Sequence, residues 1–183
     1  MKILLKKVFA ILIILLVHQS SFGQTIIVNG QPSNGKLQWS DFTGKVDKTS
    51  TFHAYTAYKY RTKIKSIKPS GDSVIIEGFE VVLELDPSKS WARMKNVSDE
   101  LLVHEQGHFN FGILTMKEIL EQVKQTHFTA SNFQVKLQKI VDQVAKKYHE
   151  MGRLYDEETK HHMDQQQQLK WNEFFKSVLP ELY

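Results

Sequence analysis

The sequence contains no cysteine among its 183 residues. A chain without cysteine forms no disulfide and carries no thioether-linked lipid. Hydrophobic residues make up 41% of the chain and charged residues 24%, which are ordinary values for a globular protein and unlike those of disordered or collagenous chains. This length and composition predict one folded domain.

The sequence also lacks an apolar run long enough to span a bilayer. The run over residues 8–17 is about ten residues long, whereas a membrane-spanning helix needs roughly 20. Lysines precede this run and Ser21-Phe22-Gly23 follows it, a pattern typical of a cleaved signal peptide. We predict a signal peptide over 1–23, one domain over 24–183, and export to the periplasm or extracellular space without stable membrane insertion. An uncleaved anchor is the alternative interpretation.

No strong excess of charge of either sign remains after the signal peptide. The chain has 24 basic and 20 acidic residues, and three of its lysines lie in the first 23 residues, which leaves 21 basic against 20 acidic residues. Nucleic-acid binding would need a basic stripe with stacking aromatic residues. We therefore predict no nucleic-acid partner.

The segment over 25–91 has the pattern of a sheet. A short strand is expected over 25–28 and a long, half-exposed strand over 50–67, where apolar and polar residues alternate. Pro69-Ser70-Gly71-Asp72 predicts a turn, after which residues 73–86 return with the same alternation. We expect the two long strands to pair in an antiparallel sheet.

Beyond these strands, the apolar residues recur with helical spacing. Ser98 is a suitable N-cap, and acidic residues follow it, so a helix is predicted over 98–125. A second helix is predicted over 131–151, ended by Gly152, and a helix-compatible stretch follows within 155–179.

The first predicted helix contains His104-Glu105-Gln106-Gly107-His108, an HExxH motif. Residues four apart lie on the same face of a helix, so the imidazoles of His104 and His108 can reach one ion. Glu105 is rotated by about 100° from His104, so it can reach a water on the open side of the metal. The motif predicts one Zn²⁺ ion, with Glu105 as general base. The alternative is a helix with two surface histidines and an unrelated glutamate.

The chemistry that follows is amide hydrolysis. Zinc lowers the pKa of bound water to about 7 and polarises a carbonyl, while Glu105 takes the water proton and returns it to the leaving amine. We therefore predict a peptide or protein substrate. Gly107 costs roughly 0.8 to 1 kcal/mol in a helix interior relative to alanine, so we expect another backbone or the substrate to approach there.

A catalytic zinc also needs a third protein ligand. The candidates downstream of the motif are His127, His149, Asp156, Glu157, Glu158, His161, His162 and Asp164. The segment 156–164 ranks first, because it holds two histidines and four carboxylates within nine residues. A solvated charged face is the alternative interpretation of such a cluster.

Several segments together resemble a bacterial family of predicted secreted zinc-dependent proteases, the domain of unknown function 922. The segments are Leu37-Gln38-Trp39-Ser40-Asp41-Phe42, Ser90-Trp91, residues 104–109, and Tyr155-Asp156-Glu157-Glu158-Thr159-Lys160-His161, with Gln168 and Trp171 beyond. The resemblance covers most of the chain after the signal peptide. The family has a Tyr-Asp-x-x-Thr-x-His element, which implies His161 as the third ligand.

Neighbouring side chains have possible secondary roles. His162 is an alternative ligand, and Asp156 could orient a ligand imidazole through its free N–H. Tyr155 or Tyr148 could donate a hydrogen bond to the oxyanion, although ordinary packing is the alternative for each tyrosine. His53 is expected to be a plain surface residue.

We therefore expect a zincin-like α+β fold, in which an N-terminal antiparallel sheet packs on the motif helix and C-terminal helices deliver the third ligand. An edge strand near that helix could bind an extended peptide. One alternative function is an amidase acting on cell-wall peptide. Another is a non-catalytic envelope binding protein, with a structural zinc closed by His162 or Asp164.

Overall fold

A computed structural model of the protein describes residues 22–183. The predicted signal peptide lies outside these residues, except for Phe22 and Gly23, which begin the first strand. Within the described part, no helix has the length and apolar character needed to cross a membrane.

The main sheet is mixed, so the prediction of an antiparallel sheet is wrong for its first strand. Strands β4 and β5 pair antiparallel as predicted, but β1 runs parallel to β5, and the strand order is β2-β1-β5-β4. Parallel pairing requires a long crossover, and here the connection passes through β2, β3 and β4. The strands are β1 (Phe22–Val28), β2 (Gln31–Pro32), β3 (Ala54–Tyr55), β4 (Tyr58–Ser70), β5 (Ser73–Leu85) and β6 (Trp91–Ala92).

The long strand predicted over 50–67 is divided in two at Thr56 and Ala57. The hydroxyl of Ser90 accepts from the Ala57 N–H and donates to the Ala57 carbonyl, each at 3.0 Å. The backbone of Ala57 is therefore hydrogen-bonded to the side chain of Ser90. Strand β3, which precedes it, pairs with β6 outside the main sheet. This break places residues 51–56 beside the first helix.

Three α-helices complete the α+β fold within the described residues. The predicted helix over 98–125 is confirmed, and Ser98 caps it by accepting from the Leu101 N–H at 3.2 Å. The second helix does not end at Gly152, and it continues for two more turns to Thr159. The helices are α1 (Asp99–Gln125), α2 (Phe133–Thr159) and α3 (Gln165–Val178).

The core lies between the sheet and α1, and α2 and α3 pack against α1. Phe79 and Leu83 of β5 and Phe109 and Met116 of α1 are fully buried. An aromatic cluster joins the three helices, with Phe111 and Phe175 at 5.1 Å between ring centroids. Tyr155 of α2 belongs to this cluster, so the end of α2 is held against the beginning of α1.

Candidate metal centre

His104 and His108 lie one turn apart on α1, where the local helix geometry brings their rings together. The ring centroids are 4.9 Å apart. His104 is buried, and His108 is partly exposed towards a cleft. The shared face predicted from their spacing is therefore present.

Asp156 brings three imidazoles to one point. Its Oδ1 lies 3.2 Å from Nε2 of His104, 3.0 Å from Nε2 of His108 and 3.3 Å from Nδ1 of His161. The ligand atoms of His104, His108 and Asp156 all lie within 4.8 Å of one another. Imidazole and carboxylate donors are those that zinc accepts, so this donor set fits a zinc ion.

His161 reaches this point through an unusual turn after α2. Lys160, His161 and His162 have φ values of 48°, 51° and 74°, in the left-handed region that non-glycine residues rarely adopt. The turn is closed by hydrogen bonds from the His161 N–H to the Asp156 carbonyl and from the Asp164 N–H to the Thr159 carbonyl. Such strain concentrates at functional sites, and here it returns His161 to the cluster.

His162 lines the cleft beside His104, with 6.1 Å between their ring centroids. Burial and the neighbouring His104 lower its pKa below the ordinary value. Among the described residues, no hydrogen-bond partner lies at its Nδ1. Of the two adjacent histidines, His161 is the one whose nitrogen contacts Asp156.

The outer side of His104 is held by residues from α2 and α3. Its Nδ1 lies 3.2 Å from Oε1 of Gln168 and 3.4 Å from the hydroxyl of Thr159. Since Oε1 of Gln168 can only accept, Nδ1 donates, and Nε2 is the ring nitrogen that faces Asp156. Asp156 is thus on the ligand side of the ring, and Gln168 has the outer position that the sequence analysis gave to Asp156.

Tyr155 packs behind the cluster and is fully buried. Its ring stacks on His104 at 4.6 Å, and its hydroxyl donates to the His104 carbonyl at 3.1 Å and accepts from Nε2 of Gln168 at 2.8 Å. Burial raises its pKa far above the ordinary range. This arrangement does not support the predicted oxyanion donor, because the hydroxyl is engaged away from the cleft.

Tyr155 leaves no room for a side chain at Gly107. A Cβ at this position would collide with the Tyr155 hydroxyl and lie 2.6 Å from ring atom Cζ. The approach predicted at Gly107 therefore exists, but a tyrosine side chain makes it. Tyr148, the other tyrosine considered as a donor, hydrogen-bonds Glu118 at 2.8 Å.

Glu105 is buried at 4% exposure and lines the cleft next to His104 and His108. The hydroxyl of Thr56 donates to its Oε2 at 2.6 Å. Thr56 stands at the break between β3 and β4, so the small sheet fixes the orientation of this carboxylate.

The electrostatics of the cluster favour a charged pair. Burial alone would lower the pKa of His108, but the hydrogen bond to Asp156 and the charges of Glu105 and Asp156 raise it above its ordinary value. Burial likewise opposes ionisation of Asp156, yet the contacts with His104 and His108 hold its pKa far below its ordinary value. Asp156 is therefore an ionised carboxylate at neutral pH, and it accepts hydrogen bonds from the neighbouring imidazoles.

Two cavities meet at the cluster. One has a volume of about 270 Å³ and the other about 760 Å³, and both are lined by Tyr55, Thr56, His108 and Asp156. His53, expected to be a plain surface residue, lines the first cavity. The sequence carried no motif that would have indicated the contact of Thr56 with Glu105. Gln168 was noted only as part of the family resemblance, and its contact with His104 was not predicted.

Comparison with known proteins identifies a family whose description names no reaction. A family model described as "Bacterial protein of unknown function (DUF922)" matches residues 36–163, which confirms the resemblance seen in the sequence. No curated protein and no solved structure matches the chain. The matched range contains His104, Glu105, His108, Asp156 and His161.

Proposed function

Since the chain belongs to the bacterial DUF922 family, whose description names no reaction, we propose from its site that it is a zinc-dependent peptidase. The observation that carries this proposal is the convergence of three imidazole nitrogens on Asp156, beside the buried carboxylate of Glu105. In this proposal the fold is zincin-like, because a helix with two ligands packs on a sheet and the remaining ligands come from later in the chain. Export through residues 1–23 is part of the proposal.

His104, His108 and His161 would hold the ion, with Asp156 at its side. A zinc ion supplies carbonyl polarisation and lowers the pKa of a water molecule. Glu105 takes the proton of the attacking water and delivers it to the leaving amine. We assign this proton to Oε1, because Oε2 already accepts the hydrogen bond from Thr56.

The surrounding residues keep these groups in place. Gln168 and Thr159 lie at Nδ1 of His104, which leaves Nε2 as the nitrogen that can bind the ion. Burial of Glu105 limits the water around its carboxylate, which strengthens its interactions with reacting groups. Position and protonation are therefore set before a substrate arrives.

One observation favours a second candidate, a binding protein with a structural zinc. Asp156 can supply a fourth protein ligand, and four protein ligands are typical of structural sites. The sequence had offered His162 or Asp164 for this position. In that case Glu105 would have no chemical role.

The test is the zinc content of the purified protein by mass spectrometry, with cleavage of a peptide library that includes cell-wall peptides. We expect one zinc per chain. The variant Glu105→Gln should keep the zinc and lose cleavage, and His161→Ala should lose zinc. The matched control His162→Ala should retain it.

The outcomes separate the candidates. A protein that holds zinc, loses it in Asp156→Asn and cleaves nothing is the binding protein. Absence of zinc from the wild type, or equal zinc in every histidine variant, would overturn both proposals.

A further inference from the structure

The candidate metal centre lies where two cavities adjoin, and the two cavities together are called the groove. They share Tyr55, Thr56, His108 and Asp156. One wall of the groove is formed by residues 51–60 and the other largely by the second half of α2 and the turn after it. A chain lying in this groove would pass the cluster and continue on both sides.

The first wall offers a backbone edge to such a chain. β4 is an outer strand of the main sheet, and residues 58–60 at its beginning line the larger cavity. An extended peptide can add to an exposed strand edge through main-chain hydrogen bonds, while side-chain pockets give specificity. A peptide added to this edge would lie along the larger cavity, whose lining includes His108 and Asp156 of the cluster.

The two sides of the groove differ in chemistry. The smaller cavity contains most of the cluster, and its large apolar lining residues are Phe52, Leu101 and Met163. Phe52 is 43% exposed and Met163 is 74% exposed. Exposed apolar side chains that cluster at a cleft mark ligand-binding grooves. The larger cavity is lined by tyrosines and by Lys59, Lys89 and Arg153.

The smaller cavity is large enough for a ring. A cavity of about 150 Å³ holds a benzene molecule, and this one measures about 270 Å³. The same cavity is lined by His104, Glu105 and His108, so a phenylalanine or leucine side chain bound in it would lie directly beside the cluster. Leu101 lines it as a buried residue of α1, and Phe52 and Met163 line it as exposed residues.

We propose that the substrate is the interior of an extended peptide that places a large apolar side chain in the cavity of Phe52, Leu101 and Met163. Cleavage would then occur at internal peptide bonds, because the groove continues past the cluster in both directions. This inference rests on the proposed peptidase function and adds its substrate class.

The experiment uses hexa-alanine peptides that are acetylated and amidated, with phenylalanine, leucine, aspartate or lysine placed at each position in turn. Cleavage by the zinc-loaded wild type is measured as kcat/KM. Binding to zinc-loaded Glu105→Gln protein is measured by calorimetry, which does not depend on turnover. The variants are Phe52→Ala and Met163→Ala, each also combined with Glu105→Gln for the binding assay. The control is Leu169→Ala, an exposed apolar residue of α3.

We expect phenylalanine or leucine at one position to improve both binding and kcat/KM by about tenfold or more, the scale on which hydrophobic pockets discriminate. Phe52→Ala and Met163→Ala should each reduce this preference, and Leu169→Ala should keep it. Cleavage without an apolar preference, or a preference unchanged in both pocket variants, would overturn the inference alone. Failure to cleave any peptide would overturn the peptidase proposal and this inference together.

Discussion

Oε1 of Gln168 lies 3.2 Å from Nδ1 of His104, although 64 residues separate them. Helix α3 brings the amide into the protein interior, where it also donates to Tyr155 and Asn172. These bonds fix which end of the amide faces the histidine. A residue outside the matched range of the family therefore sets the orientation of a candidate ligand.

Replacing Gln168 should weaken zinc binding without removing a ligand. Gln168→Leu leaves Nδ1 of His104 without its acceptor, and loss of such a partner typically costs 10- to 100-fold in metal affinity. Affinity is measured by competition with a chromophoric chelator. The control is Gln166→Leu on the exposed side of the same helix. Equal affinities for Gln168→Leu and wild type would contradict the assigned tautomer.

Thr56 should act on cleavage through Glu105. Thr56→Val keeps the shape of the side chain but removes the hydrogen bond to the carboxylate, and bonds to charged groups contribute about 1.5–3 kcal/mol. We expect kcat/KM to fall by at least about tenfold, with unchanged zinc content. Thr56→Ser, which retains the hydroxyl, should restore most of the activity. If serine and valine behave alike, the hydroxyl does not position Glu105.

The parts of the site that sequence could predict are those that depend on local geometry. The helical period places His104 and His108 on one face of α1, and Ser98 fixes where that helix begins. His161 was implied as third ligand by the family resemblance; its Nδ1 contacts Asp156, and its role as a ligand stays a prediction. These features involve residues close together in sequence or a recognisable motif.

The remaining features depend on contacts between distant segments. The parallel pairing of β1 with β5 is set by the path of the intervening chain, which alternation of side chains does not encode. Gly152 did not end α2, because packing of the following turns against α1 outweighs the low helix propensity of glycine. Asp156 faces the cluster just before a left-handed turn that contains no glycine. Residue preferences oppose such a turn, so the sequence did not predict it.

The two helical glycines near the site should respond to alanine in opposite directions. Gly107→Ala forces a collision with Tyr155, so we expect a loss of about 2 kcal/mol or more in the free energy of unfolding. At Gly152 the added methyl has only an ordinary contact, so Gly152→Ala should stabilise by about 0.5–1 kcal/mol. Urea denaturation measures both. Stabilisation by Gly107→Ala would exclude the close packing of Tyr155.

Glu118 should make stability depend on pH through its contacts between α1 and α2. Burial opposes its ionisation, but hydrogen bonds from Lys147 and Tyr148 lower its pKa below the ordinary 4.5. Its contribution is therefore complete above pH 4.5 and is lost as the pH falls through the lowered pKa. Glu118→Gln should cost about 1 kcal/mol at pH 7 and progressively less in acid.

The control for this prediction is Glu121→Gln, an exposed position on the same helix. Both variants and the wild type are compared by urea denaturation across the pH range, so that other acid-sensitive groups cancel in the difference. A difference for Glu118→Gln that stays constant from pH 7 to the lowest pH studied would contradict the assignment.

The candidate ligands come from the beginning of α1 and from the end of α2 and its following turn, and His104 and Asp156 are 52 residues apart. An ion bound between them would join these segments as a disulfide does, in a chain that has no cysteine. Closing a loop of this length is worth about 4 kcal/mol in the chain-entropy description of cross-links. Unlike a disulfide, this cross-link would respond to chelators and to zinc supply, so the protein's resistance to unfolding would follow the metal content of its surroundings.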